Sequence, residues 1–204
     1  MSYQILLNSS DISSLVVSYK RTQAICDGIG RITFTTADTI DAKPWDVVIV
    51  YENSAKIGTY FISSIAENEA GGTKTIEGQD GSKKLTDYFL DSKITPKDVI
   101  KYSREMLIDV LSDAGVSYSF NVSGNGAPIA PETQLGVQSA YDAVLLLCQQ
   151  SGWYFYFDKD NICRIGKLKA SLSNVKYTFT NENVLEFSYN YNDNSLRNKA
   201  IVWG

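Results

Sequence analysis

The sequence predicts an α+β protein: a β-rich N-terminal part, then a mixed part with two helices and an aromatic hairpin. Three observations carry this expectation. The first ninety residues are short runs rich in β-branched and aromatic residues, separated by turn residues, the spacing of a sandwich or small barrel. After Leu90 the apolar spacing changes to the i, i+3, i+4 lattice of helices. Beyond the second helical stretch, two strand-like runs flank the turn Asp158-Lys159-Asp160-Asn161. The expected boundaries are a β-rich domain over residues 1–92 and a mixed α+β domain over 93–175.

Within the first domain, Met1 to Leu7 has no basic n-region and reads as a first strand, not a secretory signal. Strands are expected over Ile12–Lys20, Gly30–Thr36, Trp45–Glu52, Lys56–Ile65 and Thr73–Glu77, and no helix is expected among them. Alternation in Arg31-Ile32-Thr33-Phe34-Thr35 places Ile32 and Phe34 on one face. The polar break from Tyr51 to Lys56 predicts a hairpin loop, and Glu69 to Thr73 a second one.

In the second domain, Thr95 supplies an N-cap, Pro96 a first-turn proline and Asp98 an acidic group for the helix start. From there Val99, Ser103, Met106, Leu107, Val110, Leu111 and Ala114 share one helical face, and Gly115 provides the stop. Ser139-Ala140-Tyr141-Asp142 opens a second helix that runs to Gly152. Its run Ala143–Cys148 is apolar nearly all round, so this helix is expected to be the more buried of the two. Between the helices, Ser123 to Thr133, with Gly124, Gly126, Pro128 and Pro131, reads as a loop; it lacks the Lys-Ser/Thr that a phosphate-binding loop requires. The strand Trp153–Phe157 places aromatics on alternate faces. They could stack bases or sugars, but a strand packed between a helix and another layer is the simpler reading.

Composition narrows the chemistry. The 204 residues carry 19 Lys+Arg against 23 Asp+Glu, a net charge of −4, so nothing favours binding to a phosphate backbone. Histidine is absent, which removes Ser-His-Asp triads, Cys-His pairs and His-ligated zinc within this sequence. Cys26, Cys148 and Cys163 form no C-x-x-C pair; Cys148 and Cys163 are expected to be reduced and functionally silent, with no metal and no cofactor. Paired carboxylates need no histidine, yet Glu182 with Glu186 and Asp158 with Asp160 read as solvated surface charge. Trp45, Trp153 and Trp203 read as core or interface residues ahead of a sugar-stacking platform. The longest apolar stretch, Ala143–Cys148, is far short of a bilayer span, so a soluble chain without membrane insertion is expected.

Several segments, taken in order, carry a family resemblance. Ser139 to Asp158 resembles the helix, glycine, aromatic strand and Asp-containing turn of phage tail baseplate hub proteins, the late-control-protein group. Asn183-Val184-Leu185-Glu186-Phe187-Ser188-Tyr189, then Leu196-Arg197-Asn198-Lys199-Ala200-Ile201-Val202-Trp203-Gly204, look like that family's strand entering a second barrel. Upstream, Ile57-Gly58-Thr59-Tyr60-Phe61-Ile62, and Ile76-Glu77-Gly78-Gln79-Asp80 with Leu85, are similar to the barrel hairpin and the exit from the first tube-like domain.

The resemblance implies a non-enzymatic structural protein of a phage tail or contractile injection baseplate, a trimeric hub or adaptor joining the tail tube to the spike or tip. It implies a tube-like barrel at residues 1–92 and the opening strands of a second one at 176–204. A short likeness between Ser14–Lys20 and Val184–Asn190 accords with such a duplication. Expected partners are further copies of the chain, the tail tube protein, and spike, fibre or tape-measure proteins, in a virion tail assembled in the host cytoplasm. Family members usually continue past the Val-x-Gly strand, so either the second barrel is cut short here or another chain completes it. The alternatives are the hub module of a tail-associated cell-wall hydrolase and a carbohydrate-binding β module. Leu196, Arg197, Asn198, Ile201, Val202 and Trp203 are the candidate assembly interface: the apolar strand Ala200–Trp203 is expected to pair with Leu185–Tyr191 on one side, and with a neighbouring subunit or further sequence on the other.

Overall fold

A computed structural model of the chain describes residues 3–23, 28–37, 39–68, 72–90, 101–129 and 138–167. All of these lie in the first of two compact units, Met1–Leu168 and Lys169–Gly204.

Seven strands come first: β1 (Tyr3–Leu7), β2 (Ser10–Asp11), β3 (Val16–Gln23), β4 (Gly30–Ala37), β5 (Val47–Glu52), β6 (Ala55–Asn68) and β7 (Thr73–Gln79). They form one antiparallel sheet in the order β2-β1-β5-β6-β7-β4-β3. Period-2 alternation sends Ile5, Ile32, Phe34, Val48, Val50, Ile62 and Ile76 into a shared core. The sheet is rolled into a half-barrel. Tyr3 on β1 meets Tyr19 on β3 with ring centroids 5.0 Å apart, although four strands separate them in the sheet order. Arg21 on β3 likewise reaches across two strands to donate to the Tyr60 hydroxyl on β6 at 2.6 Å, and burial of that phenol raises its pKa. Bulges at Val16/Ser18, Val50/Tyr51 and Ile62/Ser64 supply added twist.

Each strand expected in the first ninety residues is present. The one expected to begin at Ile12 starts at Val16, because Ser13–Leu15 form a 3-10 turn. The β5–β6 hairpin closes on Asn53 and Ser54 with φ of 48° and 66°, the left-handed pair of a two-residue turn. Most of the second expected break, residues 69–71, lies outside the described residues.

The mixed part comprises α1 (Ser82–Asp87), β8 (Phe89–Leu90), β9 (Lys101–Tyr102), α2 (Ser103–Asp113), β10 (Tyr118–Phe120), β11 (Pro128–Ile129), β12 (Gln138–Ser139), α3 (Ala140–Gln150), β13 (Trp153–Phe157) and β14 (Cys163–Lys167). The hairpin β13–β14 is joined by β10, parallel to β14, in the order β10-β14-β13. Short ladders pair β8 with β12 and β9 with β11. A second core gathers Leu85, Met106, Leu107, Val110, Leu111, Val144, Leu147, Phe155 and Ile165, among others.

Four expectations need correction here. A helix does occur before residue 90: α1 has six residues, too few to show a periodic face. The first long helix starts at Ser103, with Lys101 and Tyr102 drawn into the ladder with Pro128 and Ile129. Glu105 then closes the helix start by accepting the Tyr102 N–H at 2.9 Å; Thr95, Pro96, Asp98 and Val99 lie outside the described residues. Pro128, expected in a loop, sits in β11, whose partner among the described residues is β9 alone, an edge where a missing N–H is tolerated. Finally, α3 is not more buried than α2, since each buries five residues and Leu146 is exposed. Gly115 ends α2 with φ 63°, as expected, and Ser139 caps α3 by accepting the Asp142 N–H at 3.1 Å.

The half-barrel and the mixed part meet along a polar seam anchored by Asp80, which is 4% exposed. Its carboxylate accepts the Gly30 N–H at 2.7 Å and the Ser82 N–H at 3.0 Å, so one side chain ties β4 to the start of α1. The turn after β13 docks on the other side. Gly81 N–H donates to the Asn161 side-chain Oδ1 at 2.9 Å, the Thr59 hydroxyl to the Lys159 backbone carbonyl at 2.8 Å, and the Gln23 side-chain amide to the Phe157 backbone carbonyl at 3.1 Å. Glycine is required at two contacts, because a Cβ on Gly28 would overlap the Phe155 ring and one on Gly81 the Phe157 ring. Replacing Asp80 with Ala strands two buried amides, so Asp80→Ala is expected to cost about 3 kcal/mol in urea denaturation. Asp80→Asn, which keeps an acceptor, should cost less; an unchanged stability for Asp80→Ala would contradict this role.

Candidate assembly site

The two acidic residues of the 158–161 turn have structural roles. Asp158, read from the sequence as solvated charge, organises its own turn: it accepts N–H bonds from Asp160 at 2.9 Å and Ile162 at 3.0 Å, and Arg164 Nε donates to it at 2.8 Å. Burial alone would raise its pKa, but the Ile162, Arg164 and Asp160 bonds outweigh this and lower it. Asp160 pairs with Lys56 of the β5–β6 hairpin at 2.8 Å and with Lys159 at 2.9 Å, and the hydrogen bonds from those two ammonium groups lower its pKa to about 2. Both carboxylates are ionised near neutrality, where a general acid would need a raised pKa. Glu182 and Glu186 lie outside the described residues.

Cys148 and Cys163 are free and buried, and burial pushes the Cys148 thiol up to about 12 and raises that of Cys163. Such thiols are poor nucleophiles and poor metal ligands; Cys26 lies outside the described residues. Among the described residues, no group of three or more His, Cys, Asp or Glu side chains is placed to hold a metal, and no helix is long and apolar enough to cross a membrane. Trp153 belongs to the second core. Trp45 is 44% exposed, with Lys83 at 4.5 Å over its ring and Phe61 tilted against it, so it is the tip of a local cluster and not part of a coplanar row.

The assembly residues expected near the C-terminus, Leu196, Arg197, Asn198, Ile201, Val202 and Trp203, lie outside the described residues, as do Leu185–Tyr191 and Val184–Asn190. Within the described residues the feature suited to assembly is β3. It pairs with β4 alone, spans eight residues, and is exposed over most of its length. Val17 at its bulge is 72% exposed, with Leu15 exposed just before it. A long edge of this kind offers unpaired backbone groups to another chain. The opposite edge, β2, has only two residues. Sequence reading identified this segment as a strand but not as an edge, since strand order is not encoded in its own residues. Asn161 was also missed; its φ of 58° at the end of an Asp-Lys-Asp-Asn turn is the available signal.

No protein-family model matches the chain, and no curated protein matches it. Solved structures do. The tail protein from Neisseria meningitidis MC58 aligns with a TM-score of 0.64 at 12% identity, covering 86% of this chain and 53% of that one. The 43 kDa tail protein of prophage MuSo2 from Shewanella oneidensis aligns at 0.62 and 12%, covering 81% and 52%. The E. coli c3393 protein, a type VI secretion component described as structurally similar to the T4 bacteriophage tail proteins gp27 and gp5, aligns at 0.55 and 12%, covering 81% and 46%. The chain therefore has the fold of phage tail proteins and spans about half the length of these structures. The tail-protein resemblance of the sequence is matched at the level of fold, and the expected α+β, strand-rich class is the one observed.

Two outcomes follow from the titrating groups. The Asp160–Lys56 contact should be fully formed above the ordinary carboxylate value of 3.8 and lost as the pH falls toward about 2, because the folded-state pKa is the lowered one. An NMR titration of the Asp160 carboxyl checks this, and Lys56→Met should move the midpoint upward; an Asp160 midpoint at the ordinary value would contradict it. Both thiols should resist a thiol reagent at pH 8 in the folded protein and react on unfolding. The double substitution to Ala should cost about 1–2 kcal/mol of packing and leave assembly unchanged; loss of a bound metal in that variant would refute the assignment.

Proposed function

We propose that this chain is a non-enzymatic structural component of a phage tail or related contractile injection baseplate, a trimeric hub or adaptor joining the tail tube to the spike or tip. The observation that supports this most is the shared fold with tail proteins over more than four-fifths of the chain. The open edge of β3 adds a surface suited to strand pairing between subunits. In this reading three chains form a closed ring through a heterologous interface repeated head to tail. Two tube-like domains per chain would then present six such domains to a six-fold tube. The partners are further copies of the chain, the tube protein, and spike, fibre or tape-measure proteins. The setting is the virion tail, assembled in the host cytoplasm.

Mass measurement of the purified chain in solution tests the proposal, with a trimer as the expected result. Two variants locate the interface. Leu15→Lys with Val17→Lys charges the β3 edge, and truncation before Ala200 removes the apolar run Ala200–Trp203; each should yield monomer or aggregate with the half-barrel still folded. A monomeric parent chain would overturn the trimer. A trimer of unchanged mass in the β3 variant would remove that edge from the interface.

A further inference from the structure

We propose that Asn125, followed by Gly126 in the loop that caps α2, is a site of spontaneous modification, where deamidation through a cyclic imide uncouples that loop from the helix. The sequence holds one Asn-Gly pair. It lies between β10 and β11, and Asn125 is exposed. Among the described residues, no hydrogen bond engages the Asn125 side chain or the Gly126 N–H, so neither reacting group has to give up a partner. Gly126, at φ 79°, brings no Cβ to crowd the approach. The inference does not depend on the tail role proposed above.

The reaction needs only water and hydroxide. The Gly126 amide nitrogen, on losing its proton to hydroxide, attacks the side-chain carbonyl carbon of Asn125. A carbon–nitrogen bond forms there, the bond from Cγ to the side-chain nitrogen breaks, and ammonia leaves with a proton taken from water. Water then opens the imide at either ring carbonyl. Opening at the side-chain carbonyl leaves aspartate. Opening at the main-chain carbonyl leaves isoaspartate, in which the chain runs through the side chain. The sum is an amide and water giving a carboxylate and ammonium, with nothing oxidised or reduced.

The consequence follows from how the loop holds α2. The Ser103 and Arg104 N–H groups open the helix and have no partner within it. The Ala127 carbonyl accepts the first at 2.9 Å and the Asn125 carbonyl accepts the second at 3.0 Å. The Arg104 guanidinium donates to the Val122 and Gly124 carbonyls at 3.3 and 3.1 Å, and the Ala127 N–H donates to the Ser151 hydroxyl at 3.1 Å. The loop is therefore pinned on both sides of the reacting bond. A Cβ on Gly126 would stand 2.8 Å from the Trp153 ring, so an added chain atom has no room to bulge inward. Aspartate keeps the Asn125 carbonyl in the main chain and adds a negative charge beside the helix start, where the dipole favours it. Isoaspartate moves that carbonyl out of the main chain and releases the Arg104 N–H. Asp80-Gly81 is a related pair, but it is closed: its carboxylate accepts the Gly30 and Ser82 amides, and the Gly81 N–H donates to Asn161 Oδ1.

The test is peptide mapping by mass spectrometry of the full chain incubated at mildly alkaline pH, folded and in urea, with chromatographic separation of the aspartate and isoaspartate forms. The peptide carrying Asn125 should convert to the acid, in both isomers, at a similar rate in the folded and the unfolded chain. Isoaspartate at Asp80 should appear only in urea. Asn125→Gln, whose ring closure needs one more atom, should lose the conversion. In the separated isoaspartate protein the Ser103 and Arg104 amides should lose protection from hydrogen exchange, and in the Asn125→Asp variant they should keep it. A folded chain that stays unmodified at Asn125 while the unfolded one converts would overturn the proposal. So would an isoaspartate protein whose Ser103 and Arg104 amides exchange as slowly as in the parent.

Discussion

A buried carboxylate fixes where the half-barrel ends and where the mixed part begins. Asp80 follows the last strand, and a charge placed there must find partners in the interior. It finds the amide of Gly30 at the start of β4 and that of Ser82 at the start of α1, while its own N–H donates to the Gly30 carbonyl at 2.9 Å. Two elements distant from each other in sequence, β4 and α1, are thus held within hydrogen-bond reach of one residue. The rest of the seam follows from that placement: Gly81 must lack a side chain for Phe157 to pass, and the 158–161 turn must bend so that Asn161 reaches the Gly81 amide.

The acidic residues of that turn show how context changes a residue's meaning. By composition Asp158 and Asp160 could be catalytic carboxylates or idle surface charge. In the fold one shapes the turn and the other fastens it to Lys56 on the β5–β6 hairpin. Both carboxylates are spent on geometry. Among the described residues, what remains outward is the edge of β3, with Val17 72% exposed on it.

Much of the fold was legible because its signals are local. β-branched runs, the two-residue Asn53-Ser54 turn, the Ser139 cap and the Gly115 stop each act within a few residues. Signals that depend on distant partners were not legible. Helix α2 begins at Ser103 and not near Thr95 because Lys101 and Tyr102 pair with residues some 27 positions away. The parallel partner β10 has only three residues, too few for a periodic pattern. Asp80 stood out as part of a tail-protein pattern, but its role depends on Gly30, fifty residues earlier. The exposed β3 edge was invisible for the same reason, since an edge is a property of strand order.

The account rests on the seam being a rigid part of the folded unit, and amide hydrogen exchange tests this most directly. The Gly30, Gly81 and Ser82 amides should exchange as slowly as the Ile76 amide in the core strand β7, opening only with global unfolding. Exchange at those three sites orders of magnitude faster than at Ile76 would show that the half-barrel and the mixed part separate on their own, and would contradict the central claim.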